Sequence, residues 1–288
     1  MTAAAGVTII TVTYNSAKVV EPMLASIPRG TSVVLVDNAS DDVADLAVLA
    51  SRFDARLIRN PKNLGFGAAC NLGAAMAGSD LLLFLNPDTR VDPGALDLLI
   101  KAALRHPKAS AFNPALIDDD GRVRFKRHSD LLPNETMPRG LPKADAEATV
   151  LVGAALLVRR AMFDAVAGFD ERIFLYYEDD DLSLRLRRTC GPLMIIPAAV
   201  VRHARGASSG SDAQVSTFKA WHLGHAKVYA LRKHHVAFAR LRSVATALRK
   251  LTNPAVLFRP GEARGRFAYL RGVVSGLGKP VDPRKDAR

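Results

Sequence analysis

The chain of 288 residues contains only two cysteines, Cys70 and Cys190. Two thiols cannot make a disulfide framework, and their spacing matches no metal-ligand pattern, so they read as buried thiols in a reducing compartment. Long apolar runs are missing too. The longest, Val150–Val158, is less than half of the ~20 residues that a transmembrane helix requires. The opening stretch MTAAAGVTIITVTYN has no basic region of the kind that starts a signal peptide, and it runs straight into a strand pattern. Together these absences predict a cytoplasmic chain without a membrane span. Internal repeats and low-complexity tracts are absent as well.

What remains has ordinary bulk composition, with 49% hydrophobic and 24% charged residues, enough to bury a substantial core. The net charge of +12 is unevenly distributed. From Arg232 to Arg288 there are 14 Lys/Arg against 3 Asp/Glu, so a nearly neutral body carries a basic tail.

The first hundred residues alternate. Val7–Tyr14, Ser32–Asp37, Arg56–Arg59 and Asp80–Leu85 read as short buried strands. Ala17–Ile27, Asp42–Phe53, Gly67–Ala77 and Pro93–His106 carry helical spacing. Such alternation predicts βαβ units, a Rossmann-like and mostly parallel sheet with helices on both faces, and ligand binding beyond the carboxyl ends of its strands. Each strand is followed by a polar cluster rich in Asn or Asp: Tyr14–Ser16, Asp37–Ser40, Asn60–Asn63 and Asn86–Thr89. After His106 the pattern changes. Ser110–Ile117 and Arg122–Lys126, joined by an Asp-Asp-Asp-Gly turn, predict a hairpin. Leu131–Ala148 predicts a mobile loop, Val150–Arg159 a strand, Arg160–Val166 a short helix, and Leu193–Ile196 and Val200–His203 two more strands. Phe218–His235 predicts a helix, followed by basic amphipathic pieces over Phe238–Lys250, Pro254–Phe258 and Phe267–Leu277. The expected division is 1–106, a nucleotide-binding half; 107–235, an acceptor and catalytic half; and 236–288, a basic amphipathic extension.

Four stretches could carry chemistry. VVLVDNASDD puts Asp37 at a strand end, where it either contacts a nucleotide or simply makes a turn. NPKNLGFGAACNLG places Gly65 and Gly67 at a helix start, whose free N–H groups suit phosphate or ribose oxygens, but the third glycine of the dinucleotide fingerprint is missing. Asn71, one helical turn beyond Gly67, projects on the same side or merely caps. LLLFLNPDTRVDP offers Asp88 to a divalent cation at the sheet lip, while Asp92 or Thr89 caps the next helix. The rival metal candidate, Asp118–Asp120, reads better as a solvated hairpin turn. Finally, YYEDDDLSLRLRR predicts a helix starting near Glu178, with first-turn acids and last-turn arginines that suit the helix dipole. A cap needs one or two acids, however, and here are four behind an apolar IFLYY. Like charges and aromatic neighbours raise a carboxylate's pKa, which suits a general base.

Taken in order, VTYNS, VDNAS, NLGFGAACNLG, LNPDT, GFDERIFLYYEDDDLSLRLRR and VVRHARGASS resemble the motifs of inverting glycosyltransferases of family 2, with the GT-A fold. They are most similar to the bacterial rhamnosyltransferases of cell-wall, O-antigen and exopolysaccharide synthesis. The resemblance spans residues 7 to about 235. It implies a nucleotide-diphosphate sugar donor, best read as dTDP-rhamnose, a Mg²⁺ or Mn²⁺ ion, and direct displacement at the anomeric carbon. Thr13, Asn15 and Asp37 fall where that family holds base and ribose; Asn63, Gly65 and Asn71 fall beside the nucleotide. Asp88 matches the last acid of the metal-binding Asp-x-Asp, with Asn86 departing from the pattern at its first position. His203 matches a histidine that completes the metal site, and Asp179 matches the catalytic base. Glu178 and Asp181 are acceptor-side candidates, Asp181 also being spaced to pair with Arg185.

Tail residues such as FARLRSVATALRKLTNPAVLF interleave basic and apolar side chains, which suits an anionic membrane surface and a polyprenyl-linked saccharide acceptor at the inner face of the membrane. A homo-oligomer contact is the alternative. A nucleic-acid partner is disfavoured, because the tail has no recognisable module or aromatic ladder. Two rival functions stand beside transfer. A nucleotidyltransferase would need a Gly-rich basic loop in its first βα turn, where this chain has VTYNSAK. A non-catalytic sugar or lipid-carrier binding protein would not need the acid at Asp179.

Overall fold

The computed structural model describes residues 6–137, 140–204, 213–252 and 260–278. Strands β1 (Val7–Thr13), β2 (Ser32–Asp37), β3 (Arg56–Arg59) and β4 (Leu81–Leu85) alternate with helices α1 (Ala17–Ser26), α2 (Val43–Arg52) and α3 (Phe66–Met76). After β4 come β5 (Thr89–Val91), α4 (Ala95–Arg105), the hairpin β6 (Ala111–Asp118) and β7 (Val123–Arg124), β8 (Ala146–Ala148), β9 (Ala155–Arg159) and α5 (Arg160–Ala165). The chain continues through α6 (Glu178–Thr189), β10 (Leu193–His203), α7 (Ala213–Lys233), α8 (Ala239–Leu251) and α9 (Pro260–Leu277). The expected segment Pro254–Phe258 lies outside the described residues.

One sheet spans both halves, in the order β3-β2-β1-β4-β9-β6-β10-β5, with β7 on β6 and β8 on β10. The first four strands run parallel, as the βαβ alternation requires. Beyond β4 the sheet is mixed: β9 is antiparallel to β4 and β6, and β10 is parallel to β6.

The period-two alternation of each strand separates two cores. On one face Ile9, Leu81, Leu83 and Leu85 meet Val20, Met23, Leu46, Leu96 and Leu99 of α1, α2 and α4. On the other, Ile10, Leu82 and Phe84 meet Cys70 and Ala74 of α3, Phe163 of α5, and Leu182 and Leu186 of α6. Both faces are covered, so β4 is buried along its whole length.

Three expectations need correction. The strand expected over Val150–Arg159 begins only at Ala155, because the amides before it are taken by side chains: Leu151 N–H by Ser183 Oγ, Val152 N–H by Asn113 Oδ1 and Gly153 N–H by Asp179 Oδ2. The two strands expected around Pro197 are one, β10, whose register on β6 shifts between Ile196 and Val200. Proline donates no ladder hydrogen bond, so a bulge absorbs it. The stretch expected to be a mobile loop is anchored instead: Leu131 and Met137 are buried and Ala146–Ala148 pairs with β10.

The basic extension is not loose where it is described. A Cβ on Gly224 of α7 would lie 2.3 Å from the Tyr269 carbonyl oxygen of α9, and one on Gly272 would lie 2.0 Å from that of Trp221. Only glycine lets these two helix backbones come so close.

Candidate active site

The chain leaves β1 for β2 and β3 on one side, then returns to β4 on the other. This switch opens a crevice beyond the carboxyl ends of β1 and β4. The expected donor residues gather around it, each already bonded. Buried Thr13 donates its hydroxyl to the Val36 carbonyl at 3.3 Å. Asn15, with φ of 50°, donates its N–H to Ser40 Oγ at 2.9 Å, and its side-chain oxygen accepts the Asp41 N–H at 2.7 Å. Asp37 is buried and accepts the Ser40 N–H at 3.2 Å.

Two motifs far apart in sequence form one clasp here. Asn71 accepts the Phe169 N–H at 2.9 Å and donates to the Phe169 carbonyl at 3.0 Å, so its amide braces the 169–171 segment. Gly65 has φ of +84°, and a Cβ there would lie 2.3 Å from the Phe174 carbonyl oxygen, which accepts the Phe66 N–H at 2.9 Å. The glycine expected to admit a phosphate therefore admits the backbone that leads into α6. Asn63 Oδ1 accepts the Gly65 N–H at 2.9 Å and the side-chain amide of Asn38 at 2.8 Å. Asn38 also accepts from Asn60 at 3.0 Å and from the Leu64 N–H at 3.1 Å. Asn38 is the hub of this lip, and the sequence singled it out only as one polar residue among several.

Asp88 follows β4 and is buried. One of its oxygens, Oδ1, has no hydrogen-bond partner and lies 3.3 Å from His203 Nε2. The juxtaposition comes from the sheet: β5 pairs antiparallel with β10, which sets His203 opposite Thr89, the residue after Asp88. An orphaned carboxylate oxygen beside an imidazole nitrogen fits a divalent cation. No group of three or more potential ligands forms among the described residues. The rival Asp118–Asp120 does make the hairpin turn, but Asp118 is not solvated. It is buried, paired with Arg124 and in register with His203.

Helix α6 starts at Glu178, after two residues in the left-handed region, Tyr176 (φ 70°) and Tyr177 (φ 68°). Non-glycine residues there are strained. The turn is held by Phe66 and Gly65 on one side and, on the other, by the Tyr177 hydroxyl, which donates to Asp130 at 2.5 Å.

The four acids then diverge. Asp179 accepts Lys126 Nζ at 3.0 Å and the Gly153 N–H at 3.2 Å on Oδ2, and the Asp180 N–H at 2.9 Å on Oδ1. Its side chain is 16% exposed and borders a cleft of about 270 Å³ with Lys126, His128, Tyr176 and Tyr177. Glu178 is more enclosed; burial first, and then the charge of Asp179, push its pKa up to about 8. The same two causes push Asp180 up to about 6.

Asp181, expected on the acceptor side, is instead sealed inside. Its side chain is 0% exposed and meets Arg185 at 2.7 Å, His234 at 2.8 Å and Lys233 at 2.6 Å. Burial alone would raise its pKa, but the His234 hydrogen bond and the charges of Arg185 and Lys233 overcome that and hold it at about 2. It ties α6 to α7 and reaches no acceptor.

Asp179 and Asp88 are linked through one short segment. Gly153 donates to Asp179, and the next residue, Ala154, accepts the Asn86 N–H at 2.9 Å, two residues before Asp88. Lys126 and Gly153 were missed from sequence because both act across the fold; the only hint of Lys126 was a basic side chain closing a hairpin.

Comparisons with known proteins identify the family and the fold. The profile of glycosyl transferase family 2 matches residues 8–167, more than half of the chain. A Mycobacterium tuberculosis protein described as N-acetylglucosaminyl-diphospho-decaprenol L-rhamnosyltransferase is 34% identical over 240 residues, covering 71% of this chain and 78% of its own. Rhamnosyltransferase WbbL of Escherichia coli is 30% identical over 62% of this chain and 76% of its own. Among solved structures, a mannosyltransferase from Pyrobaculum calidifontis in complex with GDP-Man and Mn²⁺ superposes with a TM-score of 0.57 at 19% identity, covering 94% of this chain and 87% of that one. The fold is GT-A, and the chain is a glycosyltransferase belonging to glycosyl transferase family 2.

Proposed function

We propose that this chain moves an L-rhamnosyl unit from dTDP-rhamnose to a hydroxyl of a saccharide carried on a polyprenyl diphosphate, inverting the anomeric configuration. The observation that carries this reading is the placement of Asp179: an accessible carboxylate on the cleft, joined through Gly153–Ala154 to the lip that bears Asp88. The rhamnosyl unit and the acceptor follow the name of the mycobacterial relative, the dTDP carrier follows the motif resemblance, and solved structures of similar fold hold UDP-GlcNAc or GDP-Man and Mn²⁺.

Asp179 acts as general base, accepting the proton from the acceptor hydroxyl as that oxygen attacks the anomeric carbon. Such help contributes about 10²–10⁴-fold in rate. The attack comes from the face opposite the leaving diphosphate, so no covalent sugar–enzyme intermediate is needed. Asp88 and His203 would hold a Mg²⁺ or Mn²⁺ ion, which supplies positive charge against the departing diphosphate. Asn86 stands where a second acid would be, so the ion rests on fewer protein charges.

The extension supports docking at an anionic membrane from the cytoplasmic side. Phe238, just before α8, and Leu241 and Leu248 within it are exposed, beside exposed Arg242 and Arg249. On α9, exposed Phe267 and Val274 alternate with exposed Arg264 and Arg271 at helical spacing. No described helix is long and apolar enough to cross a membrane.

The test is transfer from a panel of dTDP-, UDP- and GDP-sugars to a short polyprenyl-diphosphate N-acetylglucosamine, with product configuration read by NMR. Rhamnosyl product with inverted configuration, obtained with Mn²⁺ and suppressed by chelator, is expected. A product that retains the donor's configuration would overturn the mechanism, and activity confined to other sugars would overturn the donor.

A further inference from the structure

We infer that Lys126 is a positioning residue that assigns negative charge among the clustered acids at the start of α6, holding Asp179 ionised and turned towards the cleft. The inference rests on the reading of Asp179 as the base. Lys126 Nζ lies 3.0 Å from Asp179 Oδ2 and 3.1 Å from Asp180 Oδ1. Glu178 forms no ion pair with the lysine; its buried Oε2, like Asp180 Oδ1, has no hydrogen-bond partner.

Three adjacent carboxyls in a poorly solvated cleft cannot all ionise around one cation. The two that touch the lysine are favoured as anions, and the third keeps its proton. Burial and then the charge of Asp179 raise Glu178 to about 8; the same two causes raise Asp180 to about 6, and there the lysine works against the rise. Burial opposes the charge on Lys126, but Asp179 and Asp180 outweigh it and keep it protonated. The Gly153 N–H shares Oδ2 with the lysine, so the pair also fixes which way the carboxylate points.

The surrounding titratable groups do not substitute for it. Asp130 is matched by Lys227 at 3.0 Å and by the Tyr177 hydroxyl. His128 lies 3.5 Å from Asp130, on the same cleft wall. Tyr176 and Tyr177 on the α6 side, and Tyr269 on α9, are pushed up by burial and stay neutral at assay pH. Cys70 of α3, beside Glu178, is likewise raised by burial and stays a thiol.

The experiment compares pH profiles of kcat/KM for the full-length wild type, Lys126→Met and Lys126→Arg. The acid limb reports the free enzyme's base. Loss of a cation beside a carboxylate raises that base's pKa, so Lys126→Met is expected to move the limb upward by about 1–3 pH units. Below the wild-type limb it should lose about tenfold for each pH unit that the limb moves, with recovery at high pH, while Lys126→Arg keeps the limb near its place. A loss of equal size at every pH, or an unmoved limb, overturns the inference. Should Lys126→Met fail to fold, Lys126→Gln carries the same expectation. Asp179→Asn separates the two ideas: near wild-type turnover would sink the base itself, whereas lost turnover with an unmoved Lys126→Met limb would sink only the role of Lys126.

Discussion

Beyond the ends of β2 and β3 the polar side chains are mostly amides bonded to one another, whereas the start of α6 carries four consecutive carboxylates. Asn38, Asn60 and Asn63 form a neutral web that binds the ends of β2 and β3 to the Gly65 loop. Such a web fixes backbone geometry without adding charge. On the α6 side, burial and mutual repulsion leave Glu178 with an unpaired oxygen and a raised pKa. The first region is neutral and bonded to itself, and in the second buried carboxyls compete for charge.

Within α6 the same contrast recurs two residues apart. Asp179 borders the cleft with its carboxylate partly exposed, and Asp181 is enclosed by Arg185, Lys233 and His234. Removing one partner of a buried charge cluster costs about 3–5 kcal/mol, so Asp181→Asn should give the largest loss of stability, read by denaturant unfolding. Any folded fraction should keep its acceptor KM; a raised KM with normal stability would restore Asp181 to the acceptor side. The sign of the pH effect follows from its pKa of about 2 against an ordinary 3.8. Its contribution is complete above the ordinary value and disappears as pH falls from there through about 2.

On the donor lip, Asp88→Ala should weaken donor binding in Mn²⁺ by about 10–100-fold, with little change in chelator, as measured by calorimetry. Equal weakening with and without the ion would mean that Asp88 does not act through a cation. Gly65→Ala should cost about 1–3 kcal/mol, because its backbone region is nearly closed to other residues and Phe174 blocks the added methyl. Unchanged melting would break the clasp between the two regions. The smallest effect on stability, within about 0.5 kcal/mol, is expected for Leu241→Ser with Leu248→Ser, which should nonetheless reduce flotation with anionic liposomes. Unaltered flotation would remove α8 from the membrane reading.

Local pattern made the N-terminal half legible, because β1, β2 and β4 are apolar runs covered on both faces and helices α1 to α4 bury one periodic face, and the ends of β1 to β4 and α1 to α4 fall within two residues of expectation. The helix start at Glu178 was legible for the same reason. What local pattern could not reveal were side chains acting across the fold. Val150–Val152 looked like a strand, but Ser183 and Asn113 take two of its amides. Asp181 looked no different from Asp179 until α7 supplied Lys233 and His234. Lys126 stands 53 residues from Asp179 along the chain, and no periodicity connects them.

The assignment of Asp179 is tested most directly by measuring turnover and donor affinity on the same preparation of Asp179→Asn. The amide keeps the shape and can still accept from Lys126 and Gly153, but it cannot take the acceptor's proton. Turnover should fall by about 10²–10⁴-fold while donor affinity stays within about twofold of wild type. Transfer at near wild-type rate would contradict Asp179 as the base.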